Sequence, residues 1–217
     1  MKQKESFLQN EGNKWLERNL SGLTETKLPD QDALLLEYLD LRSRVQEKAD
    51  TWRILEIGCG NGQRLSWIKR EFGNECYGID PSSEAIKIAK DNGIEASVGT
   101  ADSLPFEDSF FDLVIFGFCL YLCDREDLFK IAAEANRVLK QQSWIMILDF
   151  HAEAATKNPY VHRDGLYSYK MAYESLFTWH PSFICTTKRI LDYHNFPFKH
   201  TDDPAAMTAI SVIRKNG

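Results

Sequence analysis

Between Ile54 and Gly62 the chain reads Ile-Leu-Glu-Ile-Gly-Cys-Gly-Asn-Gly. The apolar run Ile54–Ile57 has the composition of a buried strand, and three alternating glycines separate it from a helical stretch that runs from Gln63 to about Phe72. Glycine reaches φ > 0 without strain and lets a ligand touch the main chain. A helix that opens straight after such a turn aims its free N–H groups and positive dipole end at that ligand. The spacing narrows the ligand. A dinucleotide turn needs G-x-G-x-x-G, but counted from Gly58 the third glycine falls on Gln63; a Walker loop needs Gly-Lys-Ser/Thr, which is absent here. What stands is E-x-G-x-G-x-G, which argues against an NAD-dependent reductase.

The pattern downstream alternates. Strands are expected at 52–57, 75–79, 94–98, 111–118 and 144–150. Helices fall between them, one opened by Pro81-Ser82-Ser83 and stopped by Asn92-Gly93, another with Asp124 as its cap. Phe111–Phe118 is continuously apolar, as in a central parallel strand covered on both faces. This rhythm predicts a Rossmann-like, doubly wound α/β sheet. It breaks at His151. Residues 151–182 are rich in aromatics (Tyr160, Tyr167, Tyr169, Tyr173, Phe177 and Trp179), all five histidines lie in 151–200, and two closing strands are expected at 183–193 and 207–214, joined by a proline-bearing loop. Residues 1–50 read as helical, with the stripe Leu34, Leu35, Leu36, Tyr38, Leu39, Leu41 and Val45 packing on the core or covering the edge of a ligand site. The expected organisation is therefore a helical cap over 1–50 and one α/β domain over 51–217, with an insertion at about 151–182.

Bulk properties exclude some functions. Of 217 residues, 32 are acidic and 26 basic, a net charge of −6 that disfavours a nucleic-acid partner. No run approaches the length of a membrane span, and Met1–Glu5 lacks the apolar core of a signal peptide, so a cytoplasmic protein is expected. Five cysteines without a Cys-x-x-Cys pair argue against a disulfide framework and against a metal site. Cys119 reads as a small buried hydrophobe. No feature of the sequence sets an oligomeric state.

Three further segments carry chemistry. Asp80 ends the second strand, 18 residues past Gly62. An acidic residue there accepts hydrogen bonds from ribose hydroxyls, and it also suits the start of the next helix; the first role is favoured. Gly99-Thr100-Ala101-Asp102-Ser103-Leu104-Pro105-Phe106 leads to Phe110-Phe111-Asp112-Leu113-Val114, and Glu134-Ala135-Asn136-Arg137-Val138-Leu139-Lys140 leads to the fifth strand. Taken with the glycine turn, these motifs resemble the class I S-adenosylmethionine (SAM)-dependent methyltransferases over residues 52–150. The Pro-Gly-Gly usual after the last motif is replaced by Gln141-Gln142-Ser143.

The resemblance implies SAM as cofactor, S-adenosylhomocysteine (SAH) as product and no metal. It implies a cofactor site of Glu56, Gly58, Cys59, Gly60, Gly62, Asp80, Pro81, Ala101, Asp102, Ser103 and Phe118, with Asp102 taking the adenine amino proton. Read alone, Asp102 is a turn former. Phe118 and Tyr121, just past the fourth strand, either wall the reaction centre or pack in the core. Tyr160, Arg163, Tyr167 and Tyr169 are expected to bind the acceptor from a lid-like insertion. His162 or His180, or Asp149 at the end of the fifth strand, is the expected base. The acceptor is expected to be a small polar metabolite, with a sugar or sugar nucleotide favoured. A protein or rRNA methyltransferase, or a non-catalytic SAM-binding protein, are the alternatives.

Overall fold

Seven strands form one sheet in the order β3-β2-β1-β4-β5-β9-β8 in the computed structural model, which describes residues 2–25, 28–195 and 199–217. The strands are β1 (Arg53–Ile57), β2 (Glu75–Asp80), β3 (Glu95–Val98), β4 (Phe111–Gly117), β5 (Leu139–Phe150), β8 (Phe183–Asp192) and β9 (Met207–Lys215). Pairing is parallel from β3 to β5, and β9 runs antiparallel to both its neighbours. This is the Rossmann-like sheet expected from the sequence. The proline-bearing loop expected before β9 lies partly outside the described residues.

Side chains alternate across each strand, so neighbouring apolar residues feed opposite faces. Leu113 and Ile115 pack with Leu34, Leu35, Tyr38 and Leu41 of α3 (Ala33–Val45) and with Leu65 and Ile68 of α4 (Gln63–Phe72). Val114 and Phe116 pack with Leu128, Ile131 and Ala135 of α6 (Leu128–Val138). The stripe over 34–45, apart from the exposed Leu36, is thus core packing and not the cover. Its cap is Asp32, which accepts from the Leu35 N–H. Helix α5 (Ser83–Asp91) is capped by Ser82, which accepts from the Ala85 N–H at 3.0 Å.

The cover comes from the chain's first residues. Helix α1 (Gln3–Ser6), a π-helical turn (Phe7–Glu11) and α2 (Gly12–Glu25) cross the open end of the sheet. Asp124, expected to cap the helix that follows it, instead accepts from the backbone N–H groups of Gln3 and Lys4 at 3.0 and 3.1 Å. It caps a helix some 120 residues away in sequence. The insertion also divides in two. Strands β6 (Thr156–Pro159) and β7 (Tyr167–Lys170) form a hairpin, whereas Tyr173, Leu176 and Phe177, around α7 (Ser175–Thr178), are buried in the core beside α6.

Candidate active site

A cleft opens beyond the carboxyl ends of β1, β2 and β4, where the strand order reverses between β1 and β4, the usual ligand position in open α/β sheets. Two chambers share Trp15, Gly58, Gly117 and Phe118 as walls. The smaller, of about 120 Å³, lies toward β2 and β3, against Asp80, Pro81, Ala101 and Asp102. The larger, of about 600 Å³, lies between the glycine turn and the β6–β7 hairpin.

The turn is shaped by its glycines. Gly58, Gly60 and Gly62 have φ of +76°, +52° and +71°. A Cβ at Gly58 would fall 2.6 Å from the Cys119 Cβ, and one at Gly62 would fall 2.9 Å from the Ala89 Cβ. Gly62 therefore lets α4 approach α5 and faces neither chamber, which corrects its expected place at the cofactor. At Gly60 a Cβ would meet nothing within 4 Å, so its main chain is open to a ligand. Cys59 lines the larger chamber. Burial holds the Cys119 thiol far above its usual pKa, in keeping with a protonated hydrophobe. Phe118 holds φ +50° at the junction of the chambers, a strained value for a bulky residue.

Asp80 accepts from the N–H groups of Gly60 (3.0 Å) and Ser82 (2.8 Å). It thus serves as a turn brace, and it also lines the smaller chamber. Desolvation raises its pKa to about 6, against these two hydrogen bonds. Glu56 is 1% exposed and pairs through Oε1 with Arg64, which also binds Asp32 at 2.9 Å. Burial lifts the Glu56 carboxyl to about 7 despite Arg64, and its Oε2 has no hydrogen-bond partner among the described residues. Asp102 lines the smaller chamber with both oxygens engaged: Oδ1 by Thr100 at 2.7 Å, Oδ2 by Lys4 and by Lys130 at 3.4 Å. Burial opposes ionisation, yet hydrogen bonds from Lys4 and Thr100 bring its pKa to about 2. Ser103 is exposed and faces neither chamber.

The three candidate bases separate clearly. His162 lines the larger chamber from the turn of the hairpin, its ring 5.2 Å from that of Tyr160. His180 precedes β8, whose first residue Phe183 pairs with Lys215; this is the amino-end edge of the parallel strands, away from both chambers. Asp149 is 1% exposed, lines neither chamber, and accepts from the N–H groups of Leu120 (2.8 Å), Tyr121 (3.3 Å) and Phe150 (2.8 Å). Burial raises its pKa to about 7. It braces the loop after β4, and its expected role as base is corrected along with that of His180.

Of the expected acceptor residues, Tyr121, Tyr160 and Tyr169 line the larger chamber; Arg163 and Tyr167 do not. Tyr167 instead donates its N–H to Gln3 Oε1 and carries Lys157 over its ring at 3.6 Å. Residues that went unread complete the walls: Lys4, Phe7 and Gly12 over the smaller chamber, Phe150, Lys170 and Tyr193 beside the larger. Trp15 spans both and donates to the Tyr121 hydroxyl at 3.2 Å; Arg18 donates to that of Tyr160 at 2.9 Å. The readable signal was Gly12, a glycine inside a helix: a Cβ there would meet Phe7 O at 2.9 Å and Ser82 N at 3.0 Å, so it marks where the cover touches the sheet. Among the described residues, no group of three or more His, Cys, Asp or Glu is gathered for a metal ion, and no helix is long and apolar enough to cross a membrane.

Residues 55–147 match a family model described as a methyltransferase domain. An uncharacterized methyltransferase of Bacillus subtilis (strain 168) is 32% identical over 124 residues, 54% of this chain and 47% of that protein. Norajmaline N-methyltransferase of Rauvolfia serpentina is 36% identical over 106 residues, 45% of this chain and 35% of that protein. Matches with such curated relatives span about half of their length or less. Among solved structures, the 1,6-didemethyltoxoflavin-N1-methyltransferase of Burkholderia thailandensis superimposes with a TM-score of 0.71 at 13% identity, covering 98% of this chain and 89% of that one. A SAM-dependent methyltransferase of Methanosarcina mazei gives 0.64 at 20% identity, covering 82% and 97%. At these identities the structural likeness is one of fold.

Proposed function

We propose, from the match of residues 55–147 to a methyltransferase domain and the Rossmann-like sheet that carries it, that this chain transfers a methyl group from SAM to a small polar acceptor. The observation that carries this reading is the two-chambered cleft at the β1–β4 switch point, with the open Gly60 main chain and the unpartnered Glu56 Oε2 beside it. The residues present fit the cofactor. Gly58 and Gly60 would admit it to the main chain, Asp80 would take ribose hydroxyls, and Pro81 and Ala101 would flank the base. Asp102 would share its carboxylate between the base and Lys4. Glu56 would accept from the cofactor's ammonium.

When bound, SAM supplies an electrophilic methyl whose bond to sulfur breaks as an acceptor lone pair takes it, leaving SAH. The protein positions the acceptor and excludes water. The cover over 2–25 and the β6–β7 hairpin serve that end. His162, facing the larger chamber, is the proposed base for an acceptor proton; His162→Gln should lower kcat by about 10²–10⁴-fold with SAH affinity intact. The division into a cap over 1–50 and a methyltransferase unit over 51–217 belongs to this proposal, with the covering role narrowed to residues 2–25.

A roofed chamber of about 600 Å³ favours a small acceptor over a protein or RNA. A sugar or sugar nucleotide, the narrower expectation, competes with a flat ring for the aromatic wall, on which either can stack. The test is transfer of label from methyl-labelled SAM to a panel of small acceptors, with protein and ribosomal RNA alongside. Label in small molecules supports the reading. Label confined to the protein or RNA fraction would overturn the small-acceptor part, and SAH binding without any transfer would favour a sensor.

A further inference from the structure

The chemistry of the acceptor is written in the larger chamber's charges and rings. Two carboxylates line it, Asp32 and Glu56, and Arg64 pairs with both. That group lies beside the glycine turn. Across the chamber stands Lys170, on β7 of the hairpin. Its Nζ donates to the carbonyls of Pro204 (3.1 Å) and Ala205 (2.8 Å), which leaves one of its three protons undirected. Among the described residues no carboxylate forms an ion pair with it; partial burial lowers its pKa, the charge of nearby Asp203 opposes this only in part, and an anion beside it in the chamber would offset the rest.

The wall between Lys170 and the junction is aromatic. Phe118, Phe150, Tyr121 and Tyr193 form a ring cluster, with centroids 5.3 Å apart for Phe118–Phe150, 5.6 Å for Phe118–Tyr193, 5.0 Å for Tyr121–Phe150 and 5.2 Å for Phe150–Tyr193. Lys170 Nζ sits 5.6 Å from the Phe150 ring centre, at the edge of this cluster. Such walls bind flat ligands by stacking.

Tyr121 adds direction. Its hydroxyl oxygen receives the Trp15 N–H at 3.2 Å, which leaves its own proton to be donated. The hydroxyls of Tyr160 and Tyr121 differ in this respect: Tyr160 sits in a closed set with Arg18 and the buried Glu11, which takes up its hydrogen-bonding capacity. Burial holds the Tyr121 phenol well above its usual pKa, so it acts as a donor and not as a base.

We infer that the larger chamber takes a planar anionic acceptor, an aromatic or enolic ring bearing a carboxylate or ionised hydroxyl, with Lys170 beside the anion and the Tyr121 hydroxyl donating to an acceptor oxygen. The inference rests on the methyltransferase reading and names its substrate class.

The test is calorimetry on the full chain with four probes that separate flatness from charge: 4-hydroxybenzoate (flat, anionic), benzylamine (flat, cationic), methyl glucoside (neutral sugar) and glucose 1-phosphate (anionic sugar). Each is titrated with and without SAH, and SAH is titrated alone. The expected result is that 4-hydroxybenzoate binds at least about tenfold tighter than the other three. Lys170→Gln should weaken it by about tenfold or more and Tyr121→Phe by about five- to tenfold, with SAH affinity within about twofold and thermal melts retained. Tighter binding of benzylamine or of either sugar, no binding of 4-hydroxybenzoate, or unchanged affinity in both variants would overturn the inference. Failure of SAH to bind would overturn the cofactor reading separately, because probe selectivity is also read without SAH.

Discussion

The smaller chamber is walled mainly by strand ends and the turns that leave them, whereas the larger one borrows its walls from segments far apart in the chain. Gly58, Asp80 and Ala101 sit within a few residues of β1, β2 and β3, and parallel pairing brings them together. Trp15, Tyr121, Tyr160 and Lys170 meet only because α2 and the hairpin converge over the sheet. The first half is thus held by the same pairing that makes the fold. The second is held by side-chain contacts between separate elements, each worth about 1 kcal/mol. The smaller chamber should therefore answer to backbone changes and the larger one to the seating of the cover.

Gly60→Val probes this contrast with the largest expected effect. A β-branched residue at φ +52° is strained by about 1–2 kcal/mol, and its side chain fills the space a ligand needs. SAH affinity should fall at least about 100-fold by calorimetry. Normal affinity would show that the main chain there is not part of the site.

Next comes Gly12→Val. Its Cβ would meet the backbone at Phe7 and Ser82, so the cover must lift, at a cost of about 1–3 kcal/mol. Limited proteolysis within residues 2–25 should accelerate while the sheet's unfolding transition shifts by only a few degrees. Loss of the whole fold would mean that cover and sheet form one cooperative unit, against the contrast drawn above.

The electrostatic prediction concerns pH. The Asp80 carboxyl, lifted to about 6 in the folded chain, must be ionised to accept from two ribose hydroxyls. SAH affinity should therefore weaken as pH falls through about 6, by about tenfold per unit below it, and Asp80→Asn should flatten the profile. For stability the sign is opposite. A raised acid pKa means the folded state holds its proton longer, so stability contributed by Asp80 is lost as pH rises from about 4 to about 6. Asp80→Ala should also lower the melting temperature of the ligand-free chain, because the Gly60 and Ser82 N–H groups lose their acceptor.

The smallest effect is expected far from both chambers. Gln142 sits at φ +56° near the start of β5, in the register shift between the pairings of Leu139 and Trp144 with β4. Gln142→Gly should raise stability by up to about 1 kcal/mol in denaturant titrations, with SAH affinity unchanged.

The same contrast explains what could be read from residues alone. The helix at 63–72, the glycine turn and the apolar β4 are local: period, glycine spacing and strand length carry them, and the structure has Gln63–Phe72 helical as expected. The three candidate bases look alike in sequence, yet His180 lies at the opposite edge of the sheet and Asp149 is spent on three backbone N–H groups. Asp102 showed its place beside the cleft but not its partner, since Lys4 reaches it from 98 residues away. The aromatic density of 151–182 was visible, but which rings face the cleft was not: Tyr169 lines it, while Tyr173 is buried against α6. Long-range docking of a helix leaves no periodic trace beyond its own apolar stripe, and Gly12 was the one residue that marked the contact.

The central claim is that the cleft at the β1–β4 switch point holds SAM and not a dinucleotide. Calorimetry of the wild-type chain with SAH and with NAD, each repeated on Gly60→Val, tests it most directly. Binding of SAH in the micromolar range, lost in Gly60→Val, with no heat from NAD, is the predicted result. Heat from NAD with none from SAH, or SAH binding that Gly60→Val leaves intact, would contradict it.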